Sequence, residues 1–174
     1  MTASHGCDVV LFDRDGTLVV DVPYNGDPGR VAPMPGARRA VDLVRDQGIA
    51  VGVVTNQSGV ARGMLTLDAV LAVNRRVEQL LGPFRAWQVC PHGQYDGCPC
   101  RKPEPGLVLA ASATLGVPTN RITVIGHIGG DVAAGLAANA RAILVPTAKT
   151  RREEVDAAPE VGPDLLAAVG KVLR

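Results

Sequence analysis

The sequence predicts an α/β protein: a parallel sheet with helices on both faces. Two observations carry this. Short runs rich in β-branched residues alternate with segments of helical spacing, and such alternation packs as a parallel sheet covered on each side. The 174 residues also suit one domain, residues 1–174, with no internal repeat and no linker; a domain takes roughly 100–200 residues. Hydrophobic residues make up 47% and charged residues 20%, which is a folded rather than a disordered composition.

Each element follows in order. Val9, Val10, Leu11 and Phe12 form an apolar run that stops at Asp13, as a buried strand does. Ala37, Ala40, Val41 and Val44 share a helical face, closed by Gly48. Residues 49–54 are the second strand. Thr66 is placed to N-cap a helix whose Val70, Val73, Val77, Leu80 and Leu81 lie together, ending at Gly82. Residues 87–89 are a third, short strand. Leu107, Ala110, Ala111 and Leu115 predict a helix up to Gly116, and residues 122–125 the fourth strand. Val132, Ala133, Leu136, Ala137 and Ala140 predict a small-residue helix, residues 142–145 the fifth strand, and residues 165–173 a terminal helix. Residues 18–35 are rich in Gly and Pro and lack periodicity. A loop that long in a compact domain is often a functional lid.

Charge and composition exclude several partners. Lys and Arg number 18 against 17 Asp and Glu, a formal net charge of +1, and aromatics are 3%. Neither a bulk electrostatic case for nucleic acid or anionic membrane nor a set of base-stacking platforms is present. No apolar run approaches the about 18 residues of a membrane span. The first eight residues lack the basic and apolar regions of a secretory signal, so a cytoplasmic protein is expected. A monomer is expected.

In parallel α/β sheets, ligands bind outside the carboxyl ends of the strands. Asp13, Arg14, Asp15, Gly16 and Thr17 follow the first strand; Thr55, Asn56, Gln57, Ser58 and Gly59 follow the second. Gly126 and His127 follow the fourth, with Asp131 shortly after, and Arg101-Lys102 lies before the third main helix. Two carboxylates, a hydroxyl, a lysine and a further acid on one rim suit metal-assisted phosphoryl transfer. One carboxylate can attack phosphorus and split hydrolysis into two steps. A hard divalent cation and a lysine would offset its repulsion from the phosphate. A second carboxyl two residues on can protonate the leaving oxygen and later deprotonate water. A hydroxyl and backbone N–H groups can hold the phosphoryl oxygens.

The cysteines carry a separate signal. Cys90, His92, Cys98 and Cys100 form Cys-x-His-x5-Cys-x-Cys, with Pro91, Gly93, Gly97 and Pro99 between them. Thiolate and imidazole are the ligands of closed, tetrahedral structural Zn²⁺, which would shape a loop that cannot form a regular element. Arg101 and Lys102 follow the last ligand, so the zinc loop is expected to aim both at the phosphate. Cys7 stands apart, at the start of the first strand.

Together these motifs resemble the haloacid dehalogenase superfamily. Phe12 to Thr17 is similar to its first motif, Val54-Thr55-Asn56 to its second, Lys102 to its third, and Ile125 to Asp131 to its fourth. The runs from Thr55 to Gly63 and from Cys100 to Pro103 resemble, more narrowly, the heptose bisphosphate phosphatases and related histidinol-phosphate phosphatase domains. The resemblance spans residues 8–148. It implies a Rossmann-like sheet without a large cap domain and a Mg²⁺-dependent phosphatase. By position, Asp13 would be the nucleophile and Asp15 the general acid/base, with Thr55 and Lys102 stabilising the phosphoryl group. Arg101, Asp21, Tyr24, Asn56, Gln57 and Ser58 would contact substrate. Asp13, Asp15 through its backbone carbonyl, His127 and Asp131 would surround the Mg²⁺, and the family has a similar loop zinc site.

One position departs from the family pattern. The fourth motif normally reads Gly-Asp, and here it is Gly126-His127. Imidazole suits Zn²⁺, Fe or Ni²⁺ better than Mg²⁺, so a weakened Mg²⁺ site is expected. The alternative is a histidine that points into solvent. The functional reading is a phosphatase of a small heptose-type sugar phosphate. Alternatives are a histidinol-phosphate or other phosphomonoester phosphatase, a catalytically impaired domain that binds phosphorylated ligands, and a nucleic-acid end phosphatase, which the charge disfavours.

Overall fold

The computed structural model describes residues 6–174; the expectation about a leader rests partly on residues 1–5, outside the described residues. Five strands run parallel in one sheet: β1 (Val9–Phe12), β2 (Ala50–Asn56), β3 (Ala86–Cys90), β4 (Ile122–Gly126) and β5 (Arg141–Leu144). Their order is β3-β2-β1-β4-β5, so β1 is central. Phe12 is level with Val53 on one side and Ile125 on the other.

Period-two alternation sends successive β1 side chains to opposite faces. Val10 and Phe12 pack with Val51 and Val53 against α1 (Ala37–Asp46), the end of α2 (Leu67–Leu81) and, later in the chain, a terminal helix. Val9 and Leu11 pack with Val54, Ile122 and Val124 against α3 (Gly106–Leu115). All four β1 side chains are 0% exposed, a burial worth roughly 1.5–3 kcal/mol for each side chain of this size. Thr66 caps α2 as expected, its hydroxyl accepting from the Ala69 N–H at 3.1 Å, an interaction worth about 1 kcal/mol.

Three readings need correction. The buried face of α3 is Leu107, Val108 and Ala111, while Ala110 is exposed. Next, α4 (Gly129–Ala137) buries Asp131, Val132, Ala134 and Gly135 and exposes Ala133, Leu136 and Ala137. In helices this rich in alanine the apolar residues are not confined to one face, so periodicity misplaces it. A further helix, α5 (Arg152–Ala157), was not expected; α6 (Leu165–Val172) was.

Residues 18–35 are anchored at their ends. Leu18 and Val19 are buried, the Met34 N–H donates to the Leu18 carbonyl at 2.9 Å, and the Val20 N–H to the Ala32 carbonyl at 2.9 Å. The intervening Asp21, Tyr24 and Asn25 reach the rim above β1. No helix among the described residues is long and apolar enough to cross a membrane.

Candidate active site

Because β1, β2 and β4 run parallel and in register, the residues following them leave the sheet at one edge. The Asp13 N–H still donates to the Ile125 carbonyl at 2.9 Å, so Asp13 is held as the last rung of the ladder. Lys102, 6% exposed, reaches beneath it. Its Nζ donates to Asp13 Oδ1 at 2.8 Å, Asp131 Oδ1 at 2.6 Å and the Val54 carbonyl at 3.0 Å, using all three ammonium protons. Burial works to lower the Lys102 pKa, but the Asp13 and Asp131 carboxylates outweigh it and raise it. Burial likewise works to raise Asp13, and the Lys102 charge and His127 overcome it, leaving Asp13 well below the usual carboxylate range. Asp131 is raised, by burial and by the Asp13 charge.

Asp131 sits in the first turn of α4. Its Oδ2 accepts from the backbone N–H of His127 at 3.0 Å and of Ile128 at 3.2 Å, which satisfies donors at the helix entry. A Cβ at Gly126 would collide with this side chain, so only glycine admits the approach.

His127 is buried at 8% exposure and does not point into solvent. Its Nδ1 lies 3.0 Å from Asp13 Oδ2, 3.3 Å from Thr17 Oγ1 and 3.7 Å from Asp131 Oδ2. Burial lowers its pKa, yet the Asp13 hydrogen bond and the charges of Asp13 and Asp131 prevail and raise it. Opposite, Gly16 adopts φ +80°, and a Cβ there would stand 2.6 Å from His127 Nε2. Asp13, His127 and Asp131 offer ligand atoms all within 4.8 Å of one another. Two carboxylates and an imidazole form a donor set that fits a divalent cation, with less negative charge than three carboxylates provide. The Asp15 side chain stands outside this group because other partners hold it, which leaves its backbone carbonyl as the donor expected from Asp15.

Those partners are Arg14 and Gln57. Arg14 Nη2 donates to Asp15 Oδ2 at 2.9 Å and Gln57 Nε2 to the same oxygen at 2.8 Å. Gln57 also donates to Thr55 Oγ1 at 2.9 Å, so it orients the second-strand hydroxyl and the Asp15 carboxylate together. Sequence reasoning missed Arg14 and Thr17. Both lie inside the first motif, but only their burial and contacts reveal a role.

A cavity of about 390 Å³ opens above this floor, lined by Asp13, Asp15, Asp21, Tyr24, Thr55, Asn56, Gln57, Ser58, Lys102, His127 and Asp131. Lys149, from the loop before α5, also lines it and bonds Asp21 Oδ2 at 2.6 Å. Asn56 turns its amide to the backbone, donating to the Lys102 carbonyl and accepting from the Lys102 N–H, each at 3.1 Å. Arg101 is not brought to this cavity. Its guanidinium donates to the His92 carbonyl at 3.3 Å, and it lines a neighbouring cavity beside the cysteine loop.

Cys90, His92, Cys98 and Cys100 converge, with Cys90 Sγ to Cys100 Sγ 3.0 Å, Cys90 Sγ to Cys98 Sγ 3.7 Å and His92 Nδ1 to Cys100 Sγ 3.2 Å. All four ligand atoms lie within 4.8 Å of one another, and thiolates around one tetrahedral ion stand about 3.8 Å apart. Burial pushes the Cys90 thiol up to about 12. Burial acts in the same sense on Cys98, but the Arg101 backbone N–H and its neighbours reverse it, to about 7.

A parallel sheet presenting Asp-x-Asp, a threonine, a lysine and a further acid on one rim defines a phosphate-ester hydrolase of the haloacid dehalogenase type. Residues 99–169 match the family described as HAD-hydrolase-like. The chain is 34% identical over 172 residues to the D-glycero-β-D-manno-heptose-1,7-bisphosphate 7-phosphatase of Pseudomonas putida, covering 95% of this chain and 98% of that one. It is 36% identical to the enzyme of the same name from Rhodopseudomonas palustris, over 90% of this chain and 91% of the other. The crystal structure of D,D-heptose 1,7-bisphosphate phosphatase from Bordetella bronchiseptica, complexed with magnesium and phosphate, superposes with a TM-score of 0.85 at 28% identity, covering 95% and 98% of the two chains. The chain belongs to this family of haloacid dehalogenase-like phosphatases.

Proposed function

We propose that the protein removes one phosphate from a heptose 1,7-bisphosphate, with Asp13 as nucleophile and Asp15 as acid/base. The observation that carries the mechanism is the buried Asp13 carboxylate, charged and pinned 2.8 Å from Lys102 at the end of the central strand. The relatives' names support the substrate. Asp13 attacks phosphorus, Asp15 protonates the departing sugar oxygen, and an aspartyl phosphate forms. Asp15 then takes a proton from water as that water attacks phosphorus and frees Asp13. Thr55 and Lys102 stabilise the phosphoryl oxygens as charge moves onto them. Asp13, the Asp15 backbone carbonyl, His127 and Asp131 would hold Mg²⁺, which would screen the phosphate's charge. Asp21, Tyr24 and Ser58 contact the sugar from the rim. Gln57 and Asn56 act chiefly by orienting Asp15, Thr55 and Lys102. The experiment is phosphate release with Mg²⁺ from heptose 1,7-bisphosphate, histidinol phosphate and an oligonucleotide 3′-phosphate. Heptose bisphosphate should give the highest kcat/KM; preference for either other substrate overturns the assignment.

Zn²⁺ on Cys90, His92, Cys98 and Cys100 completes the reading. The ion fixes the loop that carries Lys102, and Asn56 ties that loop to β2. Purified protein should contain close to one equivalent of zinc by elemental analysis, and Cys98→Ser should lose most of it. Absence of zinc in the parent, or full loading of the variant, refutes the site. The reading places the protein in the cytoplasm as a monomer, where a reducing environment keeps these thiols available.

A further inference from the structure

Arg14 has the largest of the fully buried side chains, with 1% exposure. A guanidinium is expensive to bury unless its donors are matched. The matches are specific. Nη1 donates to Asn74 Oδ1 at 2.6 Å, across 60 residues of sequence. Nη2 donates to Asp15 Oδ2 at 2.9 Å, and Nε is shared between Asp15 Oδ1 at 3.1 Å and Oδ2 at 3.2 Å. Asn74 is itself buried in the middle of α2, and its Nδ2 has no hydrogen-bond partner among the described residues. Asparagine is a poor helix former, and an unmatched buried amide costs about 1–3 kcal/mol. Its one satisfied function is to hold Arg14.

The two Asp15 oxygens are therefore unequal. Oδ2 receives three N–H groups, from Arg14 Nε, Arg14 Nη2 and Gln57 Nε2. Oδ1 receives one, the shared Nε. A carboxylate oxygen has two lone pairs, so Oδ2 has no room for a proton, while Oδ1 does. We propose that Asn74 and Arg14 form a fixed strut that makes Asp15 Oδ1 the oxygen that gives and takes the proton. This rests on Asp15 being the acid/base, as set out above. In the first half-reaction the Oδ1 proton passes to the ester oxygen as the P–O(sugar) bond breaks and the Asp13–phosphorus bond forms. In the second, a water proton passes to Oδ1 as the water oxygen bonds to phosphorus and Asp13 leaves. Arg14 and Asn74 are positioning residues: Arg14 acts on the reaction through the Asp15 carboxylate it orients, and Asn74 through Arg14.

The test uses leaving-group dependence. A sugar alkoxide needs a proton to depart, whereas p-nitrophenolate does not. In kcat/KM, which reports steps up to departure of the first product, Asn74→Ala should lose about 10–100-fold on heptose bisphosphate, a part of the 10²–10⁴ that general acid catalysis supplies, and less than about 3-fold on p-nitrophenyl phosphate. Asn74→Asp keeps an acceptor for Arg14 and should restore the parental ratio. Arg14→Lys keeps the buried charge but cannot span both partners, and should reproduce the selective loss. Asp15→Asn is the control, with the same selectivity in larger measure. Equal losses of Asn74→Ala on both substrates, or none, overturn the strut while Asp15→Asn stays selective. A non-selective Asp15→Asn overturns the acid/base reading itself.

Discussion

Asp13→Asn should reduce turnover by about three orders of magnitude or more, the scale seen when a covalent nucleophile is removed, and leave the fold standing. The two outcomes have separate causes. The amide cannot form the acyl phosphate, so the two-step route closes. Stability survives because Lys102 is shared: with Asp13 neutral it keeps Asp131 at 2.6 Å and the Val54 carbonyl at 3.0 Å. The reverse change, Lys102→Met, would strand two buried carboxylates, and breaking a buried pair this way costs about 3–5 kcal/mol. Phosphate release and a thermal melt of Asp13→Asn distinguish the effects. Beryllofluoride should modify Asp13 in the parent and leave the variant untouched. Parental turnover in the variant would overturn the mechanism.

His127→Asp should tighten Mg²⁺ by roughly 10- to 1000-fold and speed hydrolysis at limiting Mg²⁺. At an effective dielectric near 20, one charge about 4 Å from another is worth ~4 kcal/mol per unit charge, and the carboxylate's own dehydration removes much of the gain. Hardness acts in the same direction, since Mg²⁺ prefers oxygen; the parent should be relatively better served by Mn²⁺ or Co²⁺. The pH trend follows from His127, whose pKa Asp13 and Asp131 raise against the effect of burial. Protonated imidazole repels a cation, so the gap between parent and variant should widen from pH 8 to pH 6. Mg²⁺ titrations of both proteins at the two pH values decide it. Equal affinities throughout would remove His127 from the cation's surroundings.

The sheet was legible because its strands are continuous apolar runs ended by polar residues, with Phe12 giving way to Asp13 at the edge that matters. The helices were legible where one face is strictly apolar, as in α1 with Ala37, Ala40, Val41 and Val44. They were misread where alanine blurs the stripe, as in α4. Helix α5 was invisible for a related reason: it buries no residue fully and carries charge at Arg152, Glu153, Glu154 and Asp156. Within the site, Asp13, Asp15, Thr55, Lys102 and Asp131 could be placed because each follows a strand or a recognisable motif. The direction of the adjacent Arg101 could not, since neighbours on a loop can face different cavities. The contact between Arg14 and Asn74 was out of reach, because two polar residues 60 positions apart leave no trace in local pattern.

The central position of β1 also separates the timescales of the molecule. The Asp13 amide is tied to Ile125 at the end of a strand buried on both faces, so its hydrogen should exchange with solvent only when the whole domain opens. Residues 21–24 lie outside the ladder, half-buried or exposed, held by the Lys149–Asp21 ion pair and by Arg62 over Tyr24, so their amides should exchange faster, through local opening. The rim that meets the sugar would then open on a shorter timescale than the strand end that carries the attacking group, and opening the one would not require loosening the other.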